Sequence, residues 1–416
     1  MKEKIAALKK EFPAAASRFG GRRMVYLDSA CTVLKLRCAA DEQRRHMLEL
    51  GGCGGKRSFH ALAAAMEENF AAARARVASF MGAGSPEEII FTAGVTDAVN
   101  LLANSFPFTS KRNEVILSPV EHNAVFLPFE RLASAGRIKL RVLPLKNFKP
   151  DMEAYRKMLG LKTALVCFTH ASNIFGGRAD IAAAADLAHA AGARIFADDA
   201  QYAPTHGGGG AFFGADACAF SGHKLGAPYG TGALYVKRGL LAKLRPWRVG
   251  GGTVKDVTLS GGRYKVEYLG NHQGFEAGVQ NCSGVAGLAA ALTRLEKCGF
   301  ENIRAHVSGL VDGALAGLAG IKGVRVLGDR EDLLEGSLIS IVPVKKDFSV
   351  PDFNLFLNHQ LKGHFIAVRT GRHCADLACL SSGIRETIRI SFFAYNTQKD
   401  TDAFLAALKK YLTLLK

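Results

Sequence analysis

A lysine stands at the end of an apolar run, beside a histidine and among glycines, in Ser221-Gly222-His223-Lys224-Leu225-Gly226. Most lysines are surface residues. In a glycine-rich loop at a strand end, the amine has another use. It can be held against a carbonyl cofactor as a Schiff base, kept reactive by desolvation or by neighbouring charge. A second segment, Ala197-Asp198-Asp199-Ala200-Gln201, closes another apolar run. A carboxylate buried there needs a cationic partner. A protonated pyridine nitrogen is such a partner, and Asp198 beside it would keep the ring an electron sink. Gln201 could donate to a phenolate oxygen of the same ring. Read alone, the aspartate pair serves equally as a solvated turn or a helix cap. In a third segment, Phe91-Thr92-Ala93-Gly94-Val95-Thr96-Asp97, an apolar run enters a glycine and then a helical pattern. Free backbone N–H groups and the positive helix end form an anion seat there, and the Thr96 hydroxyl adds a donor. Plain N-capping by Thr96 is the competing reading.

These segments need elements to hold them. Short apolar runs at 89–91, 115–117, 164–168, 195–197 and 217–220 read as strands. Between them, 96–105, 123–135 and 180–191 read as helices, and helices at 2–12 and 62–82 come before. Strand and helix in alternation define an α/β layer, and the unbroken apolar strands call for a mainly parallel sheet covered on both faces. Past residue 285 the order changes to helices at 284–297 and 301–319, strands near 323–327 and 337–343, a helix at 351–361, strands near 365–369 and 387–392, and a last helix at 399–414. That pattern predicts a smaller α+β domain. The expected division is a large domain over 21–289 and a small C-terminal domain over 290–416, joined by the N-terminal segment 1–20.

Composition sets outer bounds. The 416 residues are 48% hydrophobic and 22% charged, an ordinary globular balance. A formal net charge of +17 favours acidic partners without choosing among nucleic acid, acidic protein, anionic lipid and phosphorylated small molecules. No apolar run is long enough to span a membrane. The N-terminus opens an amphipathic stretch, so secretion is not expected. Nine cysteines with no CxxC pair read as reduced thiols in a cytoplasmic protein, and no metal site with a known ligand spacing is found.

The motifs then fall into one order: Gly94-x-Thr96-Asp97-Ala98-x-Asn100, Glu121-His122-Asn123-Ala124, His170-x-Ser172-Asn173, Asp198-x-x-Gln201 and Ser221-x-His223-Lys224. Together they resemble the class V aminotransferase family of pyridoxal 5′-phosphate enzymes, of fold type I. Within it the chain is most similar to the SUF-type (group II) cysteine desulfurases and the related selenocysteine lyases. The likeness extends from Tyr26-Leu27-Asp28-Ser29-Ala30 to Tyr395-Asn396-Thr397.

The resemblance implies roles. Lys224 would carry the cofactor as a Schiff base and His122 would stack on its ring. Asp198 would pair with the ring nitrogen. Gln201 and Asn173 would reach the phenolate side, and Thr96, Ser221 and His223 would hold the phosphate. The stretch Arg369-Thr370-Gly371-Arg372-His373-Cys374 resembles the loop carrying the nucleophilic cysteine, with Arg369, Arg372 and His373 as candidate cations around Cys374. Cys379 could resolve an oxidised Cys374 or stand by. Arg389 would fork onto the substrate α-carboxylate, and the competing reading pairs it with Glu386 or solvent. Arg57 would belong to the substrate entrance.

Two departures stand out. Val279 occupies the position of a threonine that touches phosphate from the partner subunit, and Lys56 replaces a histidine. The implied reaction converts L-cysteine to L-alanine and leaves sulfur on Cys374 as a persulfide for an acceptor protein, an acidic one on the charge balance. A homodimer is implied. A selenocysteine lyase or other C–S lyase acting on L-selenocysteine is the alternative, and a lapsed basic binding protein is a distant one. Binding of nucleic acid would not explain five catalytic motifs in one order, so none is expected.

Overall fold

The computed structural model describes residues 1–52 and 58–415. Its centre is a seven-stranded sheet. The spatial order is Ile89–Thr92, Gly232–Val236, Ala217–Ser221, Arg194–Asp198, Thr163–Thr169, Glu114–Leu117 and Lys139–Val142. Gly232–Val236 runs antiparallel to both neighbours, and every other pair in the sheet is parallel. Thr163–Thr169 and Ala217–Ser221 are buried at every position. Side chains alternate across a strand, so one strand feeds two cores. Val166 and Phe168 join the core shared with helices Ala61–Met81, Ile181–Ala190 and Cys282–Cys298. Leu165 and Cys167 join the core shared with Val95–Ser105 and Asn123–Ser134. Leu117, Thr169, Asp198 and Ser221 end their strands, and loops beyond strand carboxyl ends are where such sheets build sites.

A second, antiparallel sheet orders Val324–Val326, Leu338–Pro343, Thr387–Ser391 and Arg369–Gly371. The expected mainly parallel α/β part and smaller α+β part are both present. Arg22–Tyr26 pairs in parallel with His364–Ala367, which carries the N-terminal attachment to the second part beyond residue 20. We propose that the large and small parts meet along the helix Cys282–Cys298. It spans the 289/290 division and packs on Arg37–Glu49 and Ala61–Met81.

Some elements differ from expectation. The helix expected at 351–361 is α-helical over Val350–Leu355 and continues as a π-turn over Phe356–Gln360. The helix Arg37–Glu49 and the strand Gly232–Val236 were not anticipated, nor was the hairpin Val254–Ser260 with Arg263–Tyr268. That hairpin leaves Leu259 and Tyr264 exposed. Among the described residues no helix is long and apolar enough to cross a membrane.

Candidate active site

Strand Ala217–Ser221 ends in a tight helical turn, Gly222–Leu225, that carries Lys224. Gly222 is required by packing, since a methyl there would collide with the Thr231 hydroxyl. Gly226, at φ +75, then turns the chain in a conformation that favours glycine. Lys224 lines a cavity of about 220 Å³. Burial lowers its ammonium from 10.5 to about 8, Asp198 pulls it back up, and Arg389 and Arg369 push it down. The amine is therefore far easier to free than that of a solvated lysine.

Asp198 ends the neighbouring strand, and its Oδ1 accepts from the Ala200 N–H at 2.9 Å. Burial raises its carboxyl to about 6, against the lowering effect of Lys224. The next residue has a different task. Asp199 is fully buried, with Oδ1 at 2.7 Å from His170 Nδ1 and Oδ2 accepting from the Gly210 N–H at 2.7 Å. Neither aspartate is a solvated turn residue, and only Asp198 faces the cavity. Gln201 donates from Nε2 to the Ala30 carbonyl at 2.7 Å, which leaves its second N–H.

His122 precedes the helix Asn123–Ser134, and its Nδ1 accepts from the Ala124 N–H at 3.0 Å. Burial lowers its ring to about 3, with Lys224, Arg369 and Arg389 pushing the same way. It is a neutral ring on the cavity wall.

One end of the cavity suits an anion. Gly94, at φ +144, occupies the N-cap of helix Val95–Ser105, and Val95 N donates to Ser221 Oγ at 2.9 Å. The capping role considered for Thr96 thus falls to Gly94. Thr96 lies in the first turn with its side chain at the cavity. His223 places Nδ1 3.2 Å from Thr32 Oγ1, and burial lowers its ring to about 4. Backbone N–H groups, two hydroxyls and a neutral imidazole form the seat.

Arg389 lies in the strand Thr387–Ser391 and is 2% exposed. It donates from Nη1 to the Asn173 carbonyl at 2.8 Å and from Nη2 to Asp28 Oδ1 at 3.0 Å. The pairing with Glu386 or solvent is thereby replaced by one with Asp28. Each Nη keeps a second N–H, so these two bonds leave Arg389 three further donors for a carboxylate. Its Nε is buried without a partner, as is Asn173 Oδ1. Asn173 Nδ2 donates to the His373 carbonyl at 2.8 Å.

Cys374 is exposed and follows His373 at φ 56, with its own φ at 55. Two successive left-handed residues with side chains are uncommon and mark a constrained turn. The Cys374 carbonyl accepts from the Asn123 N–H at 2.7 Å. Of the three expected cations, only Arg369 addresses the thiol, from Nη2 at 3.7 Å. Arg372 turns to Asp376 at 3.2 Å. His373 binds Thr387 Oγ1 through Nε2 at 2.5 Å, and burial holds its ring neutral, down to about 2. Cys379 is buried, with Sγ toward the Arg372 carbonyl.

Lys224, Asp198, His122, Gln201, Asn173, Thr96, Ser221, His223, Arg369, His373, Cys374 and Arg389 all line this one cavity, whereas Arg372 and Cys379 do not. Arg57 lies outside the described residues. Sequence reasoning assigned nothing to Asp28 and Cys31. For Asp28 a signal was available, since it falls within the Tyr26–Ala30 motif, whereas Cys31 lies just outside it.

The chain belongs to the class V aminotransferase family, whose profile matches residues 25–404. Members of that family use pyridoxal 5′-phosphate. The cavity fits such a group: it offers a depressed lysine amine, a buried carboxylate for a ring cation, an anion seat, and unpartnered Arg389 Nε and Asn173 Oδ1. Among relatives, a probable cysteine desulfurase of Vibrio cholerae is 33% identical over 99% of this chain and 99% of its own length. The chain spans only 58% of a probable cysteine desulfurase of Mycolicibacterium paratuberculosis and 64% of a cysteine desulfurase of Synechococcus elongatus, each 32% identical to it. The crystal structure of an Escherichia coli cysteine desulfurase superposes with a TM-score of 0.86 at 30% identity, covering 99% of both chains. The fold is fold type I.

Proposed function

We propose that this chain is a pyridoxal-phosphate-dependent cysteine desulfurase that converts L-cysteine to L-alanine and takes the sulfur onto Cys374. The carrying observation is that Lys224 and Cys374 line one cavity, with an anion seat and a buried guanidinium in the same wall. Lys224 would hold the cofactor through Nζ, Asp198 its ring nitrogen, His122 its ring face, and Gln201 and Asn173 its phenolate side. Thr96, Ser221 and His223 would hold its phosphate. When bound, the cofactor supplies the electron sink that weakens the substrate C–S bond.

The chain's own residues do the rest. Arg389 anchors the α-carboxylate, which fixes the orientation of the Cα–H bond. Lys224 Nζ takes the α-proton, and its depressed basicity leaves a neutral amine available near neutral pH. Cys374 Sγ attacks the substrate sulfur. The S–S bond forms as the C–S bond breaks, and its electron pair stays with the carbon fragment that becomes alanine. Arg369 steadies the attacking sulfur from 3.7 Å. Arg57 completes the substrate entrance in this reading.

The chain acts as a homodimer: Val279 is 84% exposed in a segment whose family counterpart reaches the partner's phosphate. An acidic acceptor protein suits a net charge of +17, and nine cysteines with no CxxC pair suit the cytoplasm. Alanine and sulfide release from L-cysteine, with and without reductant, in wild type and Cys374→Ala tests the reading. Loss of both products in the variant supports it, and unchanged turnover removes Cys374 from the mechanism. A Cys374→Ser chain that keeps full activity on L-selenocysteine but none on L-cysteine would shift the assignment to a selenocysteine lyase.

A further inference from the structure

The cavity holds a second thiol. Cys31 lines it together with Cys374, and the two sulfurs share one side chain. Arg369 donates from Nη1 to Cys31 Sγ at 2.7 Å and from Nη2 to Cys374 Sγ at 3.7 Å. A guanidinium is planar and rigid, so one side chain addresses both sulfurs through its two Nη groups. Cys31 is half-buried and Cys374 exposed, and both line the cavity.

The other described cysteines are placed differently. Cys167 and Cys218 are sealed in the central sheet, and burial pushes both thiols well up. Cys379, considered from sequence as a resolving thiol, is buried and turned to the Arg372 carbonyl. Burial raises it as well. Among the described residues, Arg369 is the cation that donates to both cavity sulfurs. The left-handed pair His373–Cys374 holds the outer thiol at a constrained turn.

We propose that Cys31 is the resolving thiol of the reaction. This rests on the desulfurase reading above. After Cys374 has become a persulfide, the Cys31 thiolate attacks the inner sulfur, Cys374 Sγ. The persulfide S–S bond breaks and the outer sulfur leaves as hydrosulfide, carrying the electron pair of that bond. A Cys31–Cys374 disulfide forms. The two thiols are oxidised by two electrons and the sulfane sulfur is reduced by two, so no outside oxidant is required. An external dithiol then reduces the disulfide by exchange and returns the enzyme to its starting state. When no acceptor protein has taken the sulfur from Cys374, this route releases it as free sulfide in a dithiol-driven cycle.

The test is a first turnover on the cofactor-loaded enzyme with L-cysteine, anaerobic and without reductant. It is followed by alkylation, peptide mass spectrometry, and assay of alanine and sulfide. The wild type should give about one sulfide per alanine and a Cys31–Cys374 cross-linked peptide, absent when L-cysteine is omitted. Cys31→Ser and Cys31→Ala should keep the extra sulfur on Cys374 and release no sulfide. A wild-type enzyme that ends with persulfide on Cys374 and an alkylated Cys31 overturns the proposal. That wild-type result is decisive even if a variant fails to fold. Alanine without any cross-link defeats the role of Cys31 alone, whereas absence of alanine from the wild type defeats the desulfurase reading and this inference with it.

Discussion

Arg389 donates from Nη2 to Asp28 Oδ1 at 3.0 Å, across 361 positions of chain. The pair ties the chain just beyond the strand Arg22–Tyr26 to the second sheet. It also leaves a buried guanidinium whose Nε has no partner. A substrate carboxylate would answer that site, and a lysine could not reproduce the planar fork. Arg389→Lys should raise KM for L-cysteine by about 10- to 100-fold, the scale of a hydrogen bond to a charged group. The cofactor absorbance of the same protein should be retained. An unchanged KM would move the carboxylate site elsewhere.

The amine of Lys224 titrates near 8 instead of 10.5 because burial disfavours its charge. Raising the pH through 8 therefore converts ammonium to free amine, the form that reacts with a carbonyl. The rate of colour development on adding pyridoxal 5′-phosphate to cofactor-free protein should rise with pH around 8 and level off above it. Asp198 raises the Lys224 value, so Asp198→Asn should move the midpoint lower. A midpoint at 10.5 in the wild type would contradict the burial of that amine.

Much of this was legible in the sequence because both-face burial writes parallel strands as unbroken apolar runs, and motifs sit where those runs stop. Lys224, Asp198 and Thr96 were found that way. Other features hid for physical reasons. Gly232–Val236 follows a loop of glycines, so its start looks like more loop, although Ala233-Leu234-Tyr235-Val236 is buried throughout. Arg372 and Arg369 look equivalent in sequence, and only the backbone turn at His373 and Cys374 decides that one meets Asp376 and the other the thiol. Cys31 carries no motif of its own, since its significance comes from Arg369, which is 338 positions away.

Gly232 shows how tightly the anion seat is built. A side chain there would come within 2.7 Å of Gly94 Cα and 2.6 Å of the Phe220 carbonyl, both backbone atoms. Gly232→Ala should displace the Gly94 turn, weaken cofactor affinity and destabilise the fold by about 1–3 kcal/mol, as overpacking does. Cofactor titration and thermal melting of the variant check this. The affinity loss should be larger for pyridoxal 5′-phosphate than for pyridoxal, which lacks the phosphate. Equal losses for the two would place the seat away from Gly94.

The most direct test of the whole account is borohydride reduction of cofactor-saturated protein, followed by peptide mass spectrometry. The reduced pyridoxyl adduct should be found on the peptide containing Lys224, and Lys224→Ala should abolish it. An adduct on another lysine, with Lys224 unmodified, would contradict the account.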